Sequence, residues 1–142
     1  MPGYNTHRIF NYSLFIASAA LLYVWKIPVV NLKLLVFIAG FYIGTDFITP
    51  DLDTDSTAIK RWGRLKILWL PYKWTFRHGQ SSHNIVYGAV VRILYISTIL
   101  LGAYYLLFNS LPQAMFSSIY VFIFLAGIIT ANALHVMLDS LF

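Results

Sequence analysis

The chain contains no cysteine and no glutamate. Without thiols there is no disulfide framework and no thiolate metal site, so any metal would sit among nitrogen and oxygen ligands. The redox compartment stays open on this ground. Without glutamate, the acids reduce to five aspartates: Asp46, Asp51, Asp53, Asp55 and Asp139. Charge of either sign is scarce, at 11% of 142 residues, too little to coat a soluble globule of this size. Internal repeats and low-complexity tracts are also missing. What is abundant is apolar: 59% of residues, with a mean hydropathy of +0.71, well above a soluble domain. The length suits one domain, residues 1–142.

Four apolar runs stand out, roughly Ile9–Trp25, Ile27–Ile48, Ile85–Phe108 and Ala114–Met137. A helix needs about 20 apolar residues to cross a bilayer, and the first three runs barely reach that. Lys33 and Arg92 interrupt the second and third near their ends, where long side chains can snorkel to headgroups. The first run has no small-residue cleavage site and is followed at once by another, so it does not read as a cleavable signal. Short links at Lys26–Asn31 and Asn109–Pro112 read as turns between antiparallel helices. The expected fold is all-α: an up-down four-helix transmembrane bundle with an interfacial amphipathic segment between helices 2 and 3.

That segment is the long polar stretch Thr49–Asn84. It opens with PDLDTDSTA, in which Pro50 is expected to stop the preceding helix. It continues with KRWGRLKILWLPYKWTFR, where Trp62, Trp69 and Trp74 are threaded through six cations. Basic residues with tryptophans mark a segment lying on a lipid surface. The same mixture could stack on RNA, but beside four apolar runs the partner is the bilayer, and no nucleic acid is expected. Eight of the ten cations belong to the N-terminus or the central connection, and only Lys26 and Lys33 to the other side. The positive-inside rule then places both termini and the central loop in the cytoplasm, with the chain integral to the cell (inner) membrane.

The metal-capable side chains follow the same polarity. His7 precedes the first run, His78 and His83 precede the third, and His135 and Asp139 sit in the last turns of the fourth. With the aspartates, all of them belong to the cytoplasmic end, while the two opposite connections hold no His, Asp or Glu. His135 and Asp139, spaced i, i+4, share a helix face with Asn132 one turn earlier. A lone histidine on an apolar helix is usually a packed core residue, but an ionisable pair in a membrane span points to function. Asp51 and Asp53 flank Leu52 in a turn, a pattern common in solvated acidic turns. His78 and His83, five apart, specify no metal by themselves. Asp46 could be a ligand, a carboxylate orienting one, or a helix-end charge, and Asp55 reads as solvated. Together, imidazoles and carboxylates at one end suit zinc first, with manganese or iron as alternatives, as one or two ions.

Five motifs carry a resemblance. TH at Thr6–His7, PDLD at Pro50–Asp53, RWGRLKILWLPY at Arg61–Tyr72, RHGQSSH at Arg77–His83 and LHVMLD at Leu134–Asp139 run in order along nearly the whole chain. In these the chain resembles the YdjM-type inner-membrane metal-dependent hydrolases, and more closely a related group of small, uncharacterised metal-binding membrane proteins. It departs around Gly79–Gln80, where the resemblance implies a second basic residue after the histidine. The expected function is a membrane-embedded hydrolase in which His7, Asp51, Asp53, His78, His83, His135 and Asp139 hold one or two ions. Such an ion acidifies a water to serve as nucleophile. Asp46, or an aspartate not fully engaged, would act as general base. Arg77 would pair with a phosphate oxygen. The basic, tryptophan-rich rim favours an anionic lipid or another phosphoester as substrate. The rival expectation is a non-enzymatic protein whose metal clamps helices or recruits a partner. An ion or proton carrier fits less well, because it wants ionisable residues near mid-span. The oligomeric state is not legible.

Overall fold

A computed structural model describes residues 3–27, 31–76, 84, 86–112 and 119–141. Among these the chain is entirely helical. The long helices are α1 (Tyr4–Val24), α2 (Leu32–Asp46), α5 (Tyr87–Phe108) and α6 (Ile119–Leu141). The short helices α3 (Thr57–Lys60) and α4 (Leu70–Thr75) lie between α2 and α5, with two 3-10 segments, Pro50–Asp53 and Gly63–Trp69.

Local chemistry sets the ends. Asn31 caps α2 by accepting from the Leu34 amide at 3.0 Å. Asn84 caps the start of α5, its Oδ1 accepting from the Tyr87 amide at 2.9 Å. Asn109 closes α5 in the left-handed conformation, φ 51°, a geometry asparagine tolerates. At the end of α2, the helix stops at Asp46, four residues before Pro50. Pro50 instead opens the 3-10 turn, whose first amide, from Asp51, donates to the Thr49 hydroxyl at 3.2 Å.

Three segments are long and apolar enough to cross a membrane: Leu32–Asp53 (α2 with the turn after it), Tyr87–Phe108 and Ile119–Leu141. The 21-residue α1 has the length but not the hydropathy, because the helix begins at Tyr4 and takes Asn5, His7, Arg8 and Asn11 into its first turns. His7 thus lies inside α1 rather than ahead of it. The second half of α5 exposes Leu100, Leu106, Leu107 and Phe108, and α1 exposes Ile9, Ile16 and Val24. Apolar surface on that scale suits a lipid environment.

The closest packing is between α2 and α6. A Cβ added at Gly40 would meet the Phe124 carbonyl oxygen at 2.0 Å, and one at Gly127 the Phe37 carbonyl oxygen at 2.3 Å. Gly44 and Ala131, each four residues on, continue the two small-residue rows, and these rows let the backbones touch. α1 is tied across both helices by Asn11, which donates to Thr45 Oγ1 at 3.2 Å and the Ala131 carbonyl at 3.1 Å.

The central segment corrects a sequence expectation in part. It is amphipathic, but Trp69 and Tyr72 are fully buried rather than facing lipid. Trp69 meets Trp62 and Tyr72 edge-on, at ring separations of 5.2 and 5.6 Å. The Tyr95 hydroxyl of α5 donates to the Leu68 carbonyl. With Leu52 and Ala58, also buried, these rings form a small core that caps one end of the long helices. Trp74, by contrast, is 81% exposed.

Candidate metal centre

Three ligand-type side chains converge at that capped end. His7 comes from the first turns of α1, and His135 and Asp139 come from successive turns of α6. Both imidazoles are buried, and their rings stack at 3.6 Å with 6° between planes. The Asp139 carboxylate lies against both: Oδ1 is 3.2 Å from His7 Nε2, and Oδ2 is 3.5 Å from His135 Nε2. Asp51, from the 3-10 turn after α2, brings its Oδ1 to 3.5 Å from His135 Nε2.

These separations discriminate between two readings. At 3.5 Å, two of the three contacts are longer than ordinary hydrogen bonds, which run about 2.7–3.2 Å. A tetrahedral ion with ligand bonds of about 2.0–2.1 Å instead sets its donors about 3.3–3.4 Å apart. The observed 3.2 to 3.5 Å bracket that value. The donor atoms of His7, His135 and Asp139, drawn from two helices, lie close enough together to hold a divalent ion, and Asp51 stands beside His135.

The other residues singled out in the sequence divide. Asp53 is buried, near enough for its charge, with that of Asp51, to act on Arg92. Arg77, His78 and His83 lie outside the described residues. Asp46 is fully buried but committed elsewhere. Its Oδ1 accepts from the Tyr4 hydroxyl at 2.8 Å, pairs with Arg8 Nε at 2.7 Å and also takes Arg61, while its Oδ2 accepts from the Tyr12 hydroxyl at 2.6 Å. That geometry makes it a tie between α1, the end of α2 and the central segment. Asp55 is exposed, yet it is paired with Lys73 at 2.5 Å. This hydrogen bond and the Lys73 charge hold its carboxyl below the usual range.

Removing the Asp46 tie leaves two arginines without their shared carboxylate. Asp46→Ala should therefore destabilise the fold by about 1–3 kcal/mol, the scale for leaving buried hydrogen-bonding groups such as the Tyr4 and Tyr12 hydroxyls without their acceptor, since both arginines keep access to water. Because Asp46 is a tie, the variant should still take up zinc at saturation. A melting curve together with a metal assay on the same detergent-solubilised sample checks both halves.

Arg92 was overlooked. The sequence reading lets it snorkel, whereas the structure buries it completely and has its Nη2 donate to Asn132 Oδ1 at 2.7 Å. Asn132 lies one turn before His135, so the guanidinium adjoins the candidate centre from α5. A signal was available: a lone arginine inside an apolar span, in a chain with aspartates at the same end, already asks for an internal partner. Tyr72 belongs to the same neighbourhood, and burial pushes its hydroxyl above the ordinary tyrosine range.

Among the described residues the chain is all-helical, has three segments long and apolar enough to span a membrane and gathers a His/Asp cluster able to hold a metal at one end. That is the class of a helical metal-binding protein. Comparison with known families agrees. A family model described as an uncharacterized metal-binding protein, DUF2227, matches residues 2–142, and the chain belongs to that family. A stretch of 59 residues is 41% identical to an uncharacterized protein of Aquifex aeolicus (strain VF5), covering 40% of this chain and 41% of that protein. The chain thus spans about two fifths of the length of the curated relative it matches. No solved structure matches. The family description carries metal binding but no reaction, and nothing in these matches supports the YdjM-type hydrolase assignment.

Proposed function

We propose that this protein is an integral membrane metallohydrolase whose site lies at the cytoplasmic face of the cell (inner) membrane. The single observation that carries the metal reading is the cluster of His7, His135 and Asp139, drawn together from α1 and α6, with Asp51 of the PDLD turn beside His135. Zinc is the ion of choice for such a donor set, with manganese or iron as alternatives. In this reading α1 completes an up-down four-helix bundle, and both termini lie with the site in the cytoplasm. His78 and His83, which precede α5 in the sequence, would supply further donors, enough for a second ion. When bound, the ion supplies Lewis-acid chemistry, polarising a phosphoryl oxygen and acidifying water.

The protein's own residues would do the rest. Arg77, next to His78, pairs with a phosphate oxygen. Since Asp46 is held by two tyrosines and two arginines, the role of general base passes to an aspartate not engaged with the ion, Asp53 of the PDLD turn. The substrate class is an anionic phosphoester, a phospholipid or a molecule like one.

A second reading has its own support. His7 and His135 are each only 3% exposed, and a closed shell is what a structural ion needs. There the ion would clamp α1 and the PDLD turn onto α6 without catalysis. An assay of zinc-loaded protein in mixed micelles, using a chromogenic phosphodiester and a phospholipid panel, separates the two. Hydrolysis should require the metal and fall at least a hundredfold in Asp139→Asn. No turnover by fully loaded protein, combined with a lower melting temperature on chelation, would favour the clamp.

A further inference from the structure

Outside the metal centre, the densest positive charge lines a cavity of about 540 Å³ on the central segment. Lys60, Arg64, Lys66 and Lys73 contribute its cations, and Ile67 and Leu70 its apolar wall. All five aspartates lie within the described residues, and only Asp55 pairs with one of these cations, Lys73. Lys60, Arg64 and Lys66 are exposed with no carboxylate at ion-pair distance. In the 3-10 helix, residues three apart eclipse, so Arg64 and Ile67 lie on one face and Leu70 follows in register. One wall therefore carries a cation followed by two hydrocarbon side chains. Leu65, 56% exposed, and Trp74, 81% exposed, extend apolar surface from the same segment.

We propose that this cavity binds the phosphate headgroup of an acidic phospholipid, with Asp55 as a built-in competitor for one of its cations. A phosphate diester or monoester pairs with Lys60, Arg64 and Lys66, and the first carbons of its acyl chains meet Ile67 and Leu70. Trp74 sets the depth of the segment at the headgroup level. The cavity holds one headgroup, and its apolar wall suits an acyl chain rather than a nucleic-acid backbone. The site is separate from the metal centre and depends only on the segment lying at a lipid surface.

The test is a binding titration of the purified full-length chain in neutral detergent with dioctanoyl phosphatidic acid. Dioctanoyl phosphatidylcholine, inorganic phosphate and a short single-stranded DNA serve as rival probes. Each cation near a lipid surface contributes roughly fivefold in affinity. Arg64→Gln should thus weaken binding about fivefold, and the triple variant K60Q/R64Q/K66Q on the order of a hundredfold. Asp55→Asn, by releasing Lys73, should tighten it roughly fivefold. Metal content measured on the same samples should not change, so failure here is distinguishable from failure of the metal reading. Unaltered affinity in the triple variant would overturn the proposal. So would equal binding of inorganic phosphate, which would make the site a free-anion site, or tighter binding of the DNA. Should the triple variant not fold, the opposite signs expected for Arg64→Gln and Asp55→Asn decide the matter, and a common sign refutes it.

Discussion

Gly40→Leu is expected to abolish the folded protein. The α2 and α6 backbones approach so closely that even the first carbon of a side chain at Gly40 would lie 2.0 Å from the Phe124 carbonyl oxygen. The obstacle is main chain, so no rotamer change relieves it, and the helices must separate. Overpacking of this kind costs about 3 kcal/mol or more, against a total stability of roughly 5–15 kcal/mol. Separation also moves His135 and Asp139 on α6 away from Asp51, which follows α2, so metal binding should fail with the fold. Gly127→Leu should behave alike, because its Cβ would lie 2.3 Å from the Phe37 carbonyl oxygen. Gly102 makes the control: nothing lies within 4 Å of its added Cβ. Gly102→Ala should be neutral or stabilising, by up to about 1 kcal/mol from helix propensity. Monodisperse yield and thermal melting in detergent read all three. A Gly40→Leu protein that melts with the wild type would refute the close-packed pair.

The second large effect is metal removal. An ion bound by His7, Asp51, His135 and Asp139 holds α1, the PDLD turn and α6 together only in the folded state. Ligand at a thousand times its dissociation constant stabilises by about 4 kcal/mol. For a chain of this length that is on the order of 10 °C in melting temperature. Chelation should therefore lower the melting temperature by about that much, and zinc should restore it. Imidazolium cannot ligate a metal, so loading and the associated stability should both decline as the pH drops below about 6. A melting curve indifferent to verified metal removal would deny the site any structural contribution.

How much of this could be read without coordinates depends on the kind of signal. The gathering of His7, Asp51, His135 and Asp139 at one end was legible, because alternating apolar runs send every histidine and aspartate to the same side. The i, i+4 pairing of His135 with Asp139 was legible from helix periodicity. Which carboxylate meets which imidazole was not. Asp51 and Asp53 flank one leucine, yet it is Asp51 that the 3-10 turn brings beside His135, at 3.5 Å. The role of Asp46 was hidden for a related reason: Tyr4 lies 42 positions away in sequence, and Arg61 reaches it only because the central segment folds back. That fold-back was itself obscured by composition. Tryptophan among cations suits a lipid surface and a buried aromatic cluster equally well, and Trp69 takes the second option. The α2–α6 contact was within reach, since Gly40 and Gly44 form a small-residue pair at the spacing that lets membrane helices touch.

The most direct test is the metal content of purified, zinc-equilibrated protein by mass spectrometry. The wild type is set beside the double variant His7→Ala/His135→Ala, with Asp55→Ala as the control. Wild type and control are expected to carry at least about one ion per chain, and the double variant almost none, since removing two of four donors leaves no tetrahedral site. A double variant that keeps the wild-type metal content would contradict the assignment of the centre to α1 and α6.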